Sequence, residues 1–159
     1  MPPRGTAPCT VISYVRNGGP KLENCLRSGQ FCQEHVLLDG GSTDGTVELA
    51  REYGCTVFPQ DSQFLNENER IIDFGGIANQ ALSHATKDWI VLLAADEELG
   101  EEIKQNMQKV MQSGEKGAYF VNRLFMLNGR VMKYSSTNPN HQIRLRSEEH
   151  TSELQSPCN

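Results

Sequence analysis

His35-Val-Leu-Leu-Asp-Gly-Gly-Ser-Thr-Asp-Gly-Thr-Val47 is the stretch on which the fold turns. His35 to Leu38 reads as a short strand, with Val36, Leu37 and Leu38 supplying its branched apolar side chains. Asp39-Gly-Gly-Ser-Thr-Asp-Gly45 then collects the residue types that tight turns need. A helix follows, with Ser42, Thr43 or Asp44 as its cap, Val47 and Ala50 on its inner face and Gly54 as its stop. Strand, polar turn and helix in this order make half of a βαβ unit.

The same grammar extends both ways. Upstream, Cys9 to Val15 reads as a strand, Asn17-Gly-Gly-Pro20 breaks it, and Leu22, Cys25 and Leu26 recur at helical spacing. Downstream, Cys55 to Phe58 is a third strand closed by Pro59. Asp61 to Asp73 reads as a long polar loop with Phe64 and Leu65 inside it. Ile77, Ala81, Leu82 and Ala85 mark a helix, and Trp89 to Leu93 is the most hydrophobic strand, expected at the centre of the sheet. Leu99, Ile103, Met107 and Val110 predict an amphipathic helix stopped near Gly114. Ala118–Leu127 and Arg130–Tyr134 flank Asn128-Gly129, a strong hairpin signal. The expected fold is α/β: a mostly parallel sheet flanked by helices, with a late antiparallel hairpin.

Composition bounds the function. At 159 residues the chain is one domain's worth, with 37% hydrophobic and 22% charged residues. Fifteen basic against twenty acidic residues leave a net charge of −5, which argues against a general grip on nucleic acid. No apolar run has the length of a membrane span. Cys9, Cys25, Cys32, Cys55 and Cys158 have no zinc-knuckle spacing and read as free thiols in a reducing cytosol. Arg146 to Ser156 reads Arg-Ser-Glu-Glu-His-Thr-Ser-Glu-Leu-Gln-Ser and looks like one reading frame of a short-read sequencing adapter. The expected division is therefore a domain over 1–145 and a non-native tail over 146–159.

Ligands of open α/β sheets bind outside the carboxyl ends of the strands. Three polar clusters fall at such ends: Asn17, Asp39 to Asp44, and Asp96-Glu97-Glu98. Each has a structural alternative, as turn residue, as turn and helix cap, and as acids favouring a helix N-terminus. The functional reading is a nucleotide-sugar site. One carboxylate accepts from base or ribose, and another holds Mg²⁺ or Mn²⁺ against a departing diphosphate. No Gly-Lys-Ser/Thr phosphate loop and no Gly-x-Gly-x-x-Gly fingerprint is present.

Thr10-Val-Ile-Ser-Tyr-Val-Arg-Asn17, Leu22-Glu-Asn-Cys-Leu26, His35 to Val47, Asn79-Gln-Ala-Leu82 and Asp88-Trp-Ile-Val-Leu-Leu-Ala-Ala-Asp-Glu-Glu-Leu99 together resemble the N-terminal, donor-binding part of a family 2 glycosyltransferase with the GT-A fold. The resemblance implies an inverting transfer of sugar from a nucleoside-diphosphate donor to a hydroxyl acceptor, whether glycan, lipid-linked or other. It implies that Tyr14 and Asn17 lie near the base and ribose and that Asp39 contacts the nucleoside. Ser42 and Asp44 would shape that loop, and Asp96 would meet the metal as the last acid of the family's Asp-x-Asp motif. Two positions depart from the pattern. Ala94 stands where the motif has its first Asp, and Gly40 stands where many members carry a second acid. Nothing between Leu99 and Leu145 presents a convincing general base, so the acceptor half of the site is expected to be missing. Further readings are a non-catalytic nucleotide-sugar binder, suggested by Ala94, and a sugar-phosphate nucleotidyltransferase, which would need a longer Arg-containing loop after the first strand. The expected location is cytoplasmic, with the membrane surface open as a place of action.

Overall fold

The computed structural model describes residues 4–132 and 140–147. Strands β1 (Ala7–Val15), β2 (Cys32–Asp39), β3 (Thr56–Pro59) and β4 (Trp89–Leu92) run parallel. Helices α1 (Leu22–Gly29), α2 (Thr46–Glu52) and α3 (Phe74–Ser83) connect them, and α4 (Glu101–Ser113) follows β4. Strands β5 (Ala118–Arg123) and β8 (Asn140–Ser147) complete a six-stranded sheet of order β3-β2-β1-β4-β8-β5, with β8 antiparallel to both neighbours.

Both faces are covered, which is why the central strands read as continuous apolar runs rather than alternating ones. On one face Ile12, Val36, Leu38 and Ile90 meet Ile77 and Ala81 of α3. On the other, Val11, Val91 and Leu145 meet Met107 and Met111 of α4, and Leu37 and Val15 meet Leu22, Leu26 and Ala50 of α1 and α2. Ile12, Leu38 and Ile90 are at most 1% exposed, and burial of each such side chain stabilises by about 1.5–3 kcal/mol.

Several expectations need correction. The segment 140–147 was not expected as a strand, yet β8 lies inside the sheet between β4 and β5. The hairpin shrinks to β6 (Met126–Leu127) and β7 (Arg130–Val131) around Asn128 and Gly129, both at positive φ. β5 leaves it and pairs with β8 instead. Tyr134 lies outside the described residues. The α2 N-cap is Gly45 at φ 84°, one residue past the expected set, although Asp44 still accepts from the Thr46 amide. α3 begins earlier than its apolar spacing suggested, capped by the Asp73 carboxylate on the Gly76 amide.

The cysteines also differ. Cys9 and Cys32, side by side on β1 and β2, form a disulfide, so the free-thiol argument for a reducing compartment does not hold for this pair. Cys25 and Cys55 are free and buried, and burial pushes their thiols up to about 12 and about 11. Cys158 lies outside the described residues. No helix among the described residues is long and apolar enough to cross a membrane.

Candidate functional site

The parallel strands deliver their carboxyl ends to one edge, with Val15 of β1 in register with Asp39 of β2. Beyond that register the two exits clasp each other. Asn17 turns in the left-handed region at φ 50°, which an amide side chain tolerates better than most. Its Oδ1 accepts the Thr43 amide at 2.9 Å, and its own amide donates to Ser42 Oγ at 2.8 Å. The Gly18 amide donates to Thr46 Oγ1 and the Gly19 amide to Asp44 Oδ2. The Thr46 hydroxyl on Asp44 Oδ1 is the main reason its carboxyl sits below the usual range, and the Gly19 and Thr46 amides add to it. Asp39 turns its carboxylate back on its own loop, accepting the amides of Gly41 and Ser42. Asn17, Asp39, Ser42 and Asp44 thus form one connected network.

The third cluster leaves from β4, the other neighbour of β1. Two strand spacings, roughly 10 Å, separate β2 from β4. Leu93 is held at this exit by a buried polar relay: Ser13 Oγ donates to its carbonyl at 2.7 Å and accepts from His35 Nε2 at 2.9 Å. Glu97 folds back so that Oε2 accepts the Ala94 amide at 3.0 Å, while Oε1 meets Arg123 Nε and Arg144 Nη2, each at 2.7 Å. Glu97 therefore fixes the turn on which Asp96 stands. Asp96 is exposed on that turn, at the same edge as the network but hydrogen-bonded to none of its members.

Between the β1 exit and the segment after β3 lies a cleft of about 860 Å³. Its floor is Tyr14, Val15, Arg16 and Gln60, and its far wall runs from Asn68 to Ile71 with Phe74. The Tyr14 and Phe74 rings stand 6.2 Å apart, tilted by 56°. Burial pushes the Tyr14 hydroxyl above its ordinary value; nearby Arg144 opposes this and Glu97 adds to it, so Tyr14 also feels the β4 exit. The wall is ordered by its own bonds. Asn66 Oδ1 accepts the Asn68 and Arg70 amides, and Leu65 bridges Ile71. Arg16 reaches across to the Asn68 and Glu69 carbonyls and pairs with the Glu69 carboxylate.

Of the residues expected in the site, Tyr14 lines the cleft; Asp39 reaches it through its carbonyl on the Gln60 amide, Asn17, Ser42 and Asp44 belong to the network at the ends of β1 and β2, and Asp96 follows β4 outside both. Gln60, Arg70 and Phe74 were not singled out from the sequence, and Glu97 was read only as one acid of the third cluster, without its pairing to Arg123 and Arg144. The segment holding the first three follows a strand whose carboxyl end faces this same edge, which is the signal that could have found them. A divalent cation fits here in one mode only. Among the described residues no three His, Cys, Asp or Glu side chains form a cage, but Mg²⁺ is commonly held by one or two carboxylates together with substrate phosphates. The exposed Asp96 suits that arrangement.

Comparisons with known proteins agree with this architecture. The family described as Glycosyl transferase family 2 matches residues 10–158. A TPR repeat-containing protein of Synechococcus elongatus is 33% identical over 126 residues, covering 79% of this chain and 29% of its own length. The lipopolysaccharide core biosynthesis glycosyltransferase LpsC of Rhizobium meliloti is 28% identical over 108 residues, covering 68% of this chain and 38% of its own. Among solved structures, residues 1–349 of S. aureus TarS superpose with a TM-score of 0.61 at 15% identity, covering 87% of this chain and 46% of that one; the likeness is one of fold. The chain thus spans 29% and 38% of the length of the two curated relatives and 46% of the solved one.

Proposed function

The chain belongs to glycosyl transferase family 2, and on that premise we propose that its cleft holds a nucleoside-diphosphate sugar whose sugar passes, with inversion, to a hydroxyl acceptor. The observation that carries this reading is the cleft itself, lined by an aromatic pair at the carboxyl ends of parallel strands from which a network of amides and acids also departs. Tyr14 and Phe74 offer ring faces for the base. Asn17, Asp39, Ser42 and Asp44 fix the loop beside the ribose. Arg70 contributes positive charge on the diphosphate side. Asp96 would hold Mg²⁺ or Mn²⁺ jointly with the diphosphate, and a bound cation supplies charge neutralisation at the leaving group.

For the transfer, the acceptor oxygen attacks the anomeric carbon from the side opposite the diphosphate, and a carboxylate takes its proton. Glu97 is spoken for by two guanidinium groups, so we assign it to positioning the Asp96 turn. The general base and the acceptor-binding residues we place in the part of longer relatives that this chain does not span. The acceptor is a glycan, a lipid-linked hydroxyl or another alcohol, met in the cytoplasm or at the membrane surface.

The test is release and transfer of labelled sugar by the full-length protein, with and without Mn²⁺. Asp96→Ala should lower metal-dependent turnover by about a hundredfold or more; unchanged donor affinity and turnover would overturn the assignment. Ala94, which removes one oxygen ligand from the family motif, favours a second reading as a nucleotide-sugar binder. Tight donor binding without sugar release would establish it.

A further inference from the structure

Gly40 and Gln60 explain each other. A β-carbon built at residue 40 would stand 3.0 Å from Gln60 Oε1 and 3.2 Å from Arg16 Cβ, so the glutamine side chain fills the direction that a side chain at 40 would take. Gln60 is anchored there from both ends. Its backbone amide donates to the Asp39 carbonyl at 2.9 Å. Its side-chain Nε2 donates to the Leu38 carbonyl at 3.2 Å and the Val15 carbonyl at 3.4 Å. Two carbonyls on one amide end fix its orientation, since the reversed amide would set oxygen against oxygen. Oε1 accepts no hydrogen bond among the described residues, and Gln60 lines the cleft together with Tyr14 and Phe74. Asp39, the other acceptor at this place, already receives two amides of its own loop.

We propose that Gln60 is a specificity-determining residue that takes the place of the acid absent at position 40, reading an imide N–H on the donor base through Oε1. This rests on the donor-site reading above and deepens it. A fixed acceptor matches the N3–H of uracil or thymine; cytosine presents a lone pair at the same ring position. A built hydrogen-bonding site rejects the analogue that lacks the matching group, because its own polar atom is then left unpaired.

The experiment is calorimetric binding of UDP, N3-methyl-UDP and CDP to the full chain, to Gln60→Ala and to the Gly40→Asp/Gln60→Ala pair. The wild type should bind UDP about tenfold or more tighter than the other two ligands. Gln60→Ala should lose affinity for UDP and leave the other two unchanged, so that the preference disappears. Gly40→Asp in the Gln60→Ala background, which removes the nearest contact and leaves the Arg16 β-carbon at 3.2 Å, should restore it. UDP binding without preference in the wild type, or a preference that survives Gln60→Ala, overturns the Gln60 assignment and leaves the donor site standing. Failure of all three ligands to bind overturns the donor site itself and this inference with it. The wild-type comparison varies only the ligand, so it does not depend on how any variant folds.

Discussion

His35 is the residue whose burial has the clearest thermodynamic consequence. It is 1% exposed, its Nε2–H faces Ser13 Oγ, and its Nδ1 has no partner. Burial, aided by the nearby Arg4 charge, pulls its pKa from 6.5 down to about 3. The unfolded chain therefore binds a proton below pH 6.5 that the folded chain refuses until about 3. Stability should fall as pH drops through that window, by up to about 1.4 kcal/mol per pH unit from this group. Denaturant unfolding at pH 7, 6 and 5 checks it: His35→Gln should flatten the slope, and an identical slope would show that the ring is not responsible. Asn17 offers a second test at this scale. Asn17→Ala loses the bond to the Thr43 amide and leaves at φ 50° a residue without the amide side chain that eases the left-handed conformation, at a cost of about 1–2 kcal/mol. Asn17→Gly should recover the backbone share, and equal losses for both would contradict that division. The role of Asn17 was legible in kind, since an Asn-Gly-Gly-Pro break after a strand signals a turn. Its partner, 26 residues away, was not, because local spacing carries no information about which loop lies across the edge.

The decisive element is the segment from Asp61 to Phe74. As sequence it is a polar loop, and nothing in its periodicity marks it as a wall of the site. Its order comes from contacts that composition does not display: the Asn66 turn, the Leu65–Ile71 bridge and Arg16 arriving from β1. Arg16→Ala should release this wall without opening the core, because the pair is exposed and contributes little to stability. We expect a melting temperature within about 2 °C of wild type and a several-fold weaker nucleotide affinity read by calorimetry. Unchanged affinity would show that the wall holds without the latch. The contrast with β1 to β4 is instructive. β1, β2 and β4 are buried on both faces, so each carries its own apolar signature, whereas β3 at the edge is half-buried. β8 reads Asn-His-Gln-Ile-Arg-Leu-Arg-Ser; it is a strand because β4 and β5 flank it, a fact no window of its sequence contains.

For the whole molecule, the sheet is continuous in hydrogen bonding but not in chemistry. Arg146 on β8 lies opposite Ile90 and Ala118, is 2% exposed, and leaves Nε and Nη2 without partners. Desolvation lowers its pKa. Two buried guanidinium nitrogens without partners in the middle of a sheet are costly. We propose that the natural chain departs at Arg146, the first residue of the adapter-like segment, the rest of which, beyond Ser147, lies outside the described residues. Arg146→Met should raise stability by about 1–3 kcal/mol in denaturant unfolding. A loss of stability would mean that the guanidinium finds partners and belongs there.

The claim on which the account stands is that a donor nucleotide sits where β1, β2 and the 61–74 wall meet. An amide-resolved NMR titration of the chain with UDP and Mg²⁺ tests it most directly. The account predicts shifts concentrated at Tyr14 to Asn17, Asp39 to Asp44 and Asn68 to Phe74, with a smaller group at Asp96. Shifts confined to β5, β6 and β7, or none at saturating nucleotide, would contradict it.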